Sequence, residues 1–179
     1  MNIWFASDFH LGHWNIVKYC NRPFQSLIEM DSTIIKNFNE RVEENDLVFF
    51  LGDFCMKTSS EASDAPKKAF EYYRSQLKCK NIIFIQGNHD GHNGIKSPIE
   101  SLVIQHGGKR IYLTHDPKYS KIDFFFNFTG HSHGKFGKFR KLGKKSHIVD
   151  LSVENWGYRP IDYNEIFGAF SNWLKSGKK

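Results

Sequence analysis

Long apolar runs are missing from these 179 residues, and with them any stretch of the roughly 20 residues that a membrane-spanning helix needs. Cysteine is scarce: Cys20, Cys55 and Cys79 form no C-x-x-C pair, which excludes a disulfide framework or a cysteine-based zinc knuckle as an organising principle. No acidic residue occurs between Asp123 and Asp150. No internal repeat is visible. The chain runs from Met1 straight into Ile3-Trp4-Phe5-Ala6 with no charged leader region, so no signal peptide is read and a reducing cytoplasm is the expected setting. The length predicts a single domain spanning residues 1–179. A net charge of +6 suits anionic substrates without demanding nucleic acid.

What is present is a repeated local grammar. Residues 2–7, 46–51 and 81–86 are short apolar runs bounded by turn residues, which predicts buried parallel strands. Helical spacing separates them, with Ile28, Ile34, Ile35, Phe38 and Val42 around a start at Asp31-Ser32, and Ala69, Phe70, Tyr73 and Leu77 after Pro66. Beyond residue 100 a hairpin is expected from Leu102 to His115 about Gly107-Gly108. Further strands are expected over 124–129 and 147–153, and a closing helix over 161–174. The pattern predicts an α/β fold in which two mixed sheets pack together with helices flanking them, a four-layer α/β/β/α sandwich.

Five motif blocks each follow one of these strands: Ser7-Asp8-Phe9-His10, Gly52-Asp53, Gly87-Asn88-His89-Asp90, His115, and Gly130-His131-Ser132-His133. A parallel sheet would deliver all five to one edge. Five of the nine histidines fall in the blocks, beside aspartate, asparagine and glycine, which is far from a random scatter. Two carboxylates, an amide oxygen and four imidazoles (Asp8, Asp53, Asn88, His10, His115, His131, His133) form an oxygen- and nitrogen-donor set. It is large enough for two divalent ions if Asp53 bridges them. Manganese leads the candidates, with iron, zinc, nickel or magnesium as alternatives. Two such ions less the aspartates and a hydroxide leave a charge of about +1, which attracts phosphate. Gly52, Gly87 and Gly130 are expected to let the chain turn where strand gives way to ligand.

The blocks D-x-H, G-D, G-N-H-D, H and G-H-x-H, in this order, resemble the signature of the calcineurin-like metallophosphoesterase superfamily. A narrower likeness to small single-domain prokaryotic and phage members rests on residues 7–16, Arg22-Pro23-Phe24, Leu51-Gly52-Asp53-Phe54, Val153-Glu154 and Tyr158-Arg159-Pro160-Ile161. The resemblance implies Asp8, His10 and His133 at one metal, Asn88, His115 and His131 at a second, and Asp53 bridging. It also implies His89 as the general acid and in-line attack of a bridging hydroxide on a phosphate ester. In some members an aspartate three residues after the bridging one orients that histidine. Here the position is Met56, and Asp90 is a neighbouring candidate.

A short chain with no room for a cap favours phosphodiesters, nucleotide or nucleic-acid ones included. The alternatives are a phosphomonoesterase or protein phosphatase of the same mechanism, and a catalytically silent interaction scaffold. His13, Asn15 and Arg22 are candidate substrate-binding residues, Arg22 alternatively pairing with a carboxylate. Residues 135–145 interleave Lys135, Lys138, Arg140, Lys141, Lys144 and Lys145 with Phe136, Phe139 and Leu142. That is either a nucleic-acid contact or a hairpin with solvated lysines and packed phenylalanines.

Overall fold

Alternation along the strands decides the layers. The computed structural model describes residues 1–56 and 69–177; the helix start expected at Pro66 falls outside them. In β1 (Ile3–Ala6) Trp4 and Ala6 face one apolar cluster and Phe5 another; in β2 (Leu47–Phe50) Val48 and Phe50 oppose Phe49 in the same way. β1 pairs in parallel with β2, and β2 with β3 (Asn81–Phe84). The two-residue strand β9 (Ile161–Asp162) closes the other edge antiparallel to β1. Both faces of this sheet are therefore buried, as its unbroken apolar strands require.

On the outer face lie α1 (Asn15–Tyr19), α2 (Leu27–Arg41) and α3 (Ala69–Ser75), which contribute Ile16, Met30, Ile34, Phe38 and Tyr73 to the first cluster. Helix α2 starts four residues earlier than the sequence expectation, because Ser26 caps it by accepting from Glu29 N. Ser-x-x-Glu is a capping signal that outweighs Asp31-Ser32. Ile28, counted among the core positions, is 81 % exposed.

The second sheet runs β4 (Ser101–His106), β5 (Lys109–Thr114), β6 (Phe126–Thr129), β8 (His147–Asp150) and β7 (Phe139–Lys141). β5, β6 and β8 are parallel; β4 and β7 are antiparallel edges. Its inner face presents Ile111, Leu113, Phe126, Phe128 and Val149 to the first sheet. α4 (Tyr163–Lys175) adds Tyr163, Ile166 and Phe170 to the same cluster. Burying a side chain of this size contributes about 1.5–3 kcal/mol. The segment expected as one helix from 161 divides: Ile161–Asp162 is β9, and Asp162 caps α4 through Glu165 N.

The expectation that one parallel sheet collects all five motif blocks is corrected. Three blocks follow β1, β2 and β3 of the first sheet, and two follow β5 and β6 of the second. The sheets touch at that end, where Ser7 bridges to Ser152.

Candidate metal centre

Three of the five blocks leave their strands through backbone that side chains rarely adopt. Asp8, His10, Asp53, His131 and His133 all have positive φ, between 48° and 67°. Left-handed conformations at non-glycine residues are costly and persist where the surroundings impose them. Here they turn five polar side chains back toward one point. Gly87 and Gly130 act through space rather than through a turn, and neither has a positive φ. A methyl group on Gly87 would lie 2.3 Å from Asp53 Oδ1, and one on Gly130 would lie 1.9 Å from Ser7 Oγ and 2.3 Å from Asp8 Oδ2. Only glycine lets the two carboxylates sit where they do.

The seven candidate ligands come together in two groups. Asp8, His10 and His133 form one; Asp53, His115 and His131 form the other, with Asn88 Oδ1 2.9 Å from His115 Nε2 and 2.8 Å from His131 Nδ1. Asp53 Oδ2 lies 3.6 Å from His10 Nε2 and 3.4 Å from His115 Nε2, facing both. His133 Nε2 and His10 Nε2 are 3.7 and 3.8 Å from Asp8 Oδ1. The His10 and His133 separations are too long for hydrogen bonds and the His115–Asp53 one is at the long limit, but donors about 2.1 Å from one tetrahedral ion are spaced about 3.4 Å apart. His10 is 2 % exposed and neither ring nitrogen has a hydrogen-bond partner. A buried imidazole without a partner beside two carboxylates fits a cation.

Tautomers point the same way. The Leu51 carbonyl can only accept, so His115 Nδ1 donates to it, at 2.6 Å, and Nε2 turns a lone pair toward Asp53 and Asn88. His133 Nδ1 likewise donates to Glu154 Oε1 at 3.0 Å, leaving Nε2 toward Asp8. Such outer hydrogen bonds orient ligating histidines. Burial alone would lower the His115 pKa, but the hydrogen bond to Asp53 and the charges of Asp8 and Asp53 push it up to about 9. Against its own burial, His133 rises to about 10 through bonds to Cys20 and Glu154 and the charge of Asp8. The surplus of acceptors thus attracts positive charge, which a divalent ion supplies in place of protons. Cys20 and Glu154 converge on His133 from its outer side.

The remaining candidates divide. His89 is exposed, with its ring 5.7 Å from that of His10 and its backbone N donating to Asp53 Oδ1 at 2.9 Å. Asp90 does not orient it: that carboxylate is fully buried and accepts from Gly87, Asp53 and Phe54 N. His13 is half-buried beside His10, at 5.6 Å between rings, and burial with the positive surroundings of His10, His89 and Arg22 depresses its pKa to about 4. Asn15 is exposed at the start of α1. The reading of Arg22 as a phosphate fork is corrected. Its side chain is fully buried, and all five N–H groups are committed: two to Glu154 Oε1, two to the carbonyls of Asp8 and Phe9, one to Met30 Sδ. The carboxylate pairing is the one realised, and it supports the first block from behind.

Two supporting carboxylates had no assigned role in the sequence. Glu154 joins Arg22 to His133, and Val153-Glu154 belonged to the narrower likeness without a stated role. Asp150 holds the last block by accepting from Gly134 N, Ser132 Oγ and Ser152 Oγ, and Ser152 Oγ is also placed 3.1 Å from Asp8 Oδ2. Asp150 lies within a predicted strand, and nothing in its spacing distinguished it.

The model of the calcineurin-like phosphoesterases matches residues 1–178. An uncharacterized protein of Methanocaldococcus jannaschii is 35 % identical over 170 residues, 92 % of this chain and 88 % of the relative. The gene 66 protein of Mycobacterium phage L5 is 30 % identical over 102 residues, 57 % of this chain and 46 % of the phage protein. A solved protein of unknown function from Aquifex aeolicus shares the fold, with a TM-score of 0.66 and 21 % identity over 93 % of this chain and 98 % of its own. The chain belongs to the calcineurin-like phosphoesterase family, whose activity is metal-dependent hydrolysis of phosphoester bonds.

Proposed function

We propose that this protein is a dinuclear phosphodiesterase. Asp8, His10 and His133 hold one divalent ion, Asn88, His115 and His131 hold a second, and Asp53 bridges. The observation that carries the reading is Asp53 Oδ2, which stands within 3.6 Å of a histidine nitrogen from each group. When bound, two divalent ions supply a hydroxide nucleophile at neutral pH and offset the charge of the phosphate. Manganese suits an oxygen and imidazole set without thiolate, with iron, zinc, nickel or magnesium as alternatives.

The side chains do the rest. His89 stands at the exposed margin of the site with its backbone tied to Asp53, where its imidazole can protonate the leaving oxygen. Water adds to phosphorus on the opposite side as that P–O bond breaks, giving a phosphate monoester and an alcohol with no covalent enzyme intermediate. Arg22 bears on the substrate class. A monoester dianion needs a donor for its third free oxygen, and with Arg22 committed to Glu154 and two carbonyls only His13 and Asn15 remain of the substrate-binding candidates. A diester has no such need. His131 and Asn88 are exposed, leaving the site open on one side for a second substituent.

Residues 135–145 support a nucleic-acid version of the diester. Lys135, Lys138, Arg140, Lys141, Lys144 and Lys145 are exposed, and no carboxylate lies within 4.0 Å of them among the described residues. Phe139 packs inward at 6 % exposure, so Phe136, beneath Arg140 at 4.7 Å, is the aromatic left to meet a base. A cytoplasmic setting fits the three free thiols. No helix among the described residues is long and apolar enough to cross a membrane.

The test is turnover of bis-p-nitrophenyl phosphate against p-nitrophenyl phosphate, with manganese and after exhaustive chelation. Metal-dependent cleavage with a higher kcat/KM for the diester is expected; full activity after chelation, or preference for the monoester, would overturn the reading.

A further inference from the structure

A cleft of 580 Å³ opens directly beyond the second ligand group, with Asn88 and His115 in its wall. Its volume lies in the range of about 300–1,000 Å³ that accommodates whole organic ligands, far more than a phosphate requires. The cleft is built on the outward face of the second sheet. Tyr112 and Thr114 of β5 point into it, Ser101 of β4 pairs with Thr114, and the segment around Tyr119 forms the opposite rim. Aromatic and hydrogen-bonding groups therefore line a space whose inner end is the candidate metal centre.

Charge selects among occupants. Outside the metal end, Lys118 and Lys121 stand against Glu100 and Asp116, and Lys118 is already paired with Asp116 at 2.8 Å. The lining is balanced, whereas residues 101–149 as a whole carry ten Lys or Arg against two Asp. A polyanion gains nothing by entering it. A neutral, flat group with donors and acceptors on its edge gains a stacking surface and partners. Tyr119 is 56 % exposed at the rim, while Tyr112 is braced from behind by Phe124, ring to ring at 5.3 Å. Tyr112 is fixed, whereas Tyr119 carries the Lys118 ammonium 4.8 Å from its ring centre and keeps over half of its surface exposed for stacking.

Resting on the diester reading above, we infer that this cleft is a nucleoside subsite. The substrate is a phosphodiester with a nucleoside on one side of phosphorus, and Tyr119 is a specificity-determining residue. Base–aromatic stacking carries enough energy for selectivity and tolerates different bases.

Equilibrium binding to the manganese-loaded protein tests this with three probes: inorganic phosphate, glycerol phosphate and thymidine monophosphate. Thymidine monophosphate should bind about 5- to 100-fold more tightly than the other two, the worth of one stacked base. Tyr119→Ala should remove that margin and leave phosphate affinity unchanged, and Tyr119→Phe should retain it. The position is exposed, so both variants keep the fold. Equal affinity for glycerol phosphate and thymidine monophosphate, or a loss in Tyr119→Ala shared by all three probes, would overturn the subsite. Turnover of bis-p-nitrophenyl phosphate on the same preparations separates the two levels. Its absence refutes the diester reading, and its presence without a thymidine margin refutes the subsite alone.

Discussion

Replacing Arg22 with alanine removes a side chain that is 0 % exposed and joins four segments of the chain. Glu154, itself only 10 % exposed, loses bonds of 2.8 and 3.0 Å and keeps His133 as its remaining partner. The carbonyls of Asp8 and Phe9 each lose a donor at 2.8 Å. Breaking one buried ion pair costs about 3–5 kcal/mol, and each stranded carbonyl on the order of 1–3 kcal/mol before water enters. With water recovering much of the second contribution, the expected loss is about 4 kcal/mol. For a chain of this size that lowers Tm by roughly 8–16 °C. The assay is calorimetry and urea unfolding of metal-free protein, so that lost metal is not mistaken for lost packing. Arg22→Lys should recover less than half, because an ammonium cannot reproduce the fork. A stability loss below about 1 kcal/mol, together with a selective fall in monoester kcat/KM, would refute this and return the guanidinium to the substrate.

Asp53→Asn should weaken both ions together, and metal analysis finding two tightly held ions in that variant would contradict the bridging assignment. In His89→Asn, metal content should be retained while kcat falls about 10²- to 10⁴-fold, less for esters with better leaving groups; an unchanged kcat with a poor leaving group would dismiss the general-acid role. Burial raises the Asp31 pKa to about 6, despite hydrogen bonds from Tyr73 and Gly12. Its stabilising contribution is therefore present below about pH 4 and lost as pH rises toward 6, on the order of 2–3 kcal/mol. Urea midpoints of wild type and Asp31→Asn across that window should diverge by this amount, and parallel curves would count against it. Neutralising Lys138, Arg140, Lys141, Lys144 and Lys145 should raise KM for a nucleic acid and flatten its salt dependence without affecting a small aryl ester; equal effects on both substrates would make the segment a solvated hairpin.

The strands that carry the motif blocks were readable because local pattern and tertiary role coincide there. Ile3-Trp4-Phe5-Ala6 is apolar on both faces and is buried on both faces. Reading failed where a short local signal competed with a longer one, as with Ser26 against Asp31-Ser32, or where tertiary pairing captured two residues of a helical pattern, as with Ile161 and Asp162. β7 was legible only as half of a hairpin, since Phe139 alone of its three residues is buried. In the candidate centre, the residues facing inward follow short spaced motifs. Those that hold them in place, Arg22, Glu154 and Asp150, act over sequence separations of 132, 21 and 18 residues, which no local pattern encodes. For Gly87 and Gly130 the sequence identified the residue but not the reason, which is crowding by a carboxylate rather than curvature of the chain.

The meeting of the two sheets at Ser7 and Ser152 has a mechanical side. Asp8, His10, Asp53 and Asn88 follow strands of one sheet and His115, His131 and His133 strands of the other. Ions held by both sets would then work as rivets across the seam, resisting the sliding of one layer over its neighbour. Occupancy at 100 times the dissociation constant adds about 2.7 kcal/mol of resistance to unfolding. The heat tolerance of the whole molecule would thus rise and fall with the divalent ion available to it.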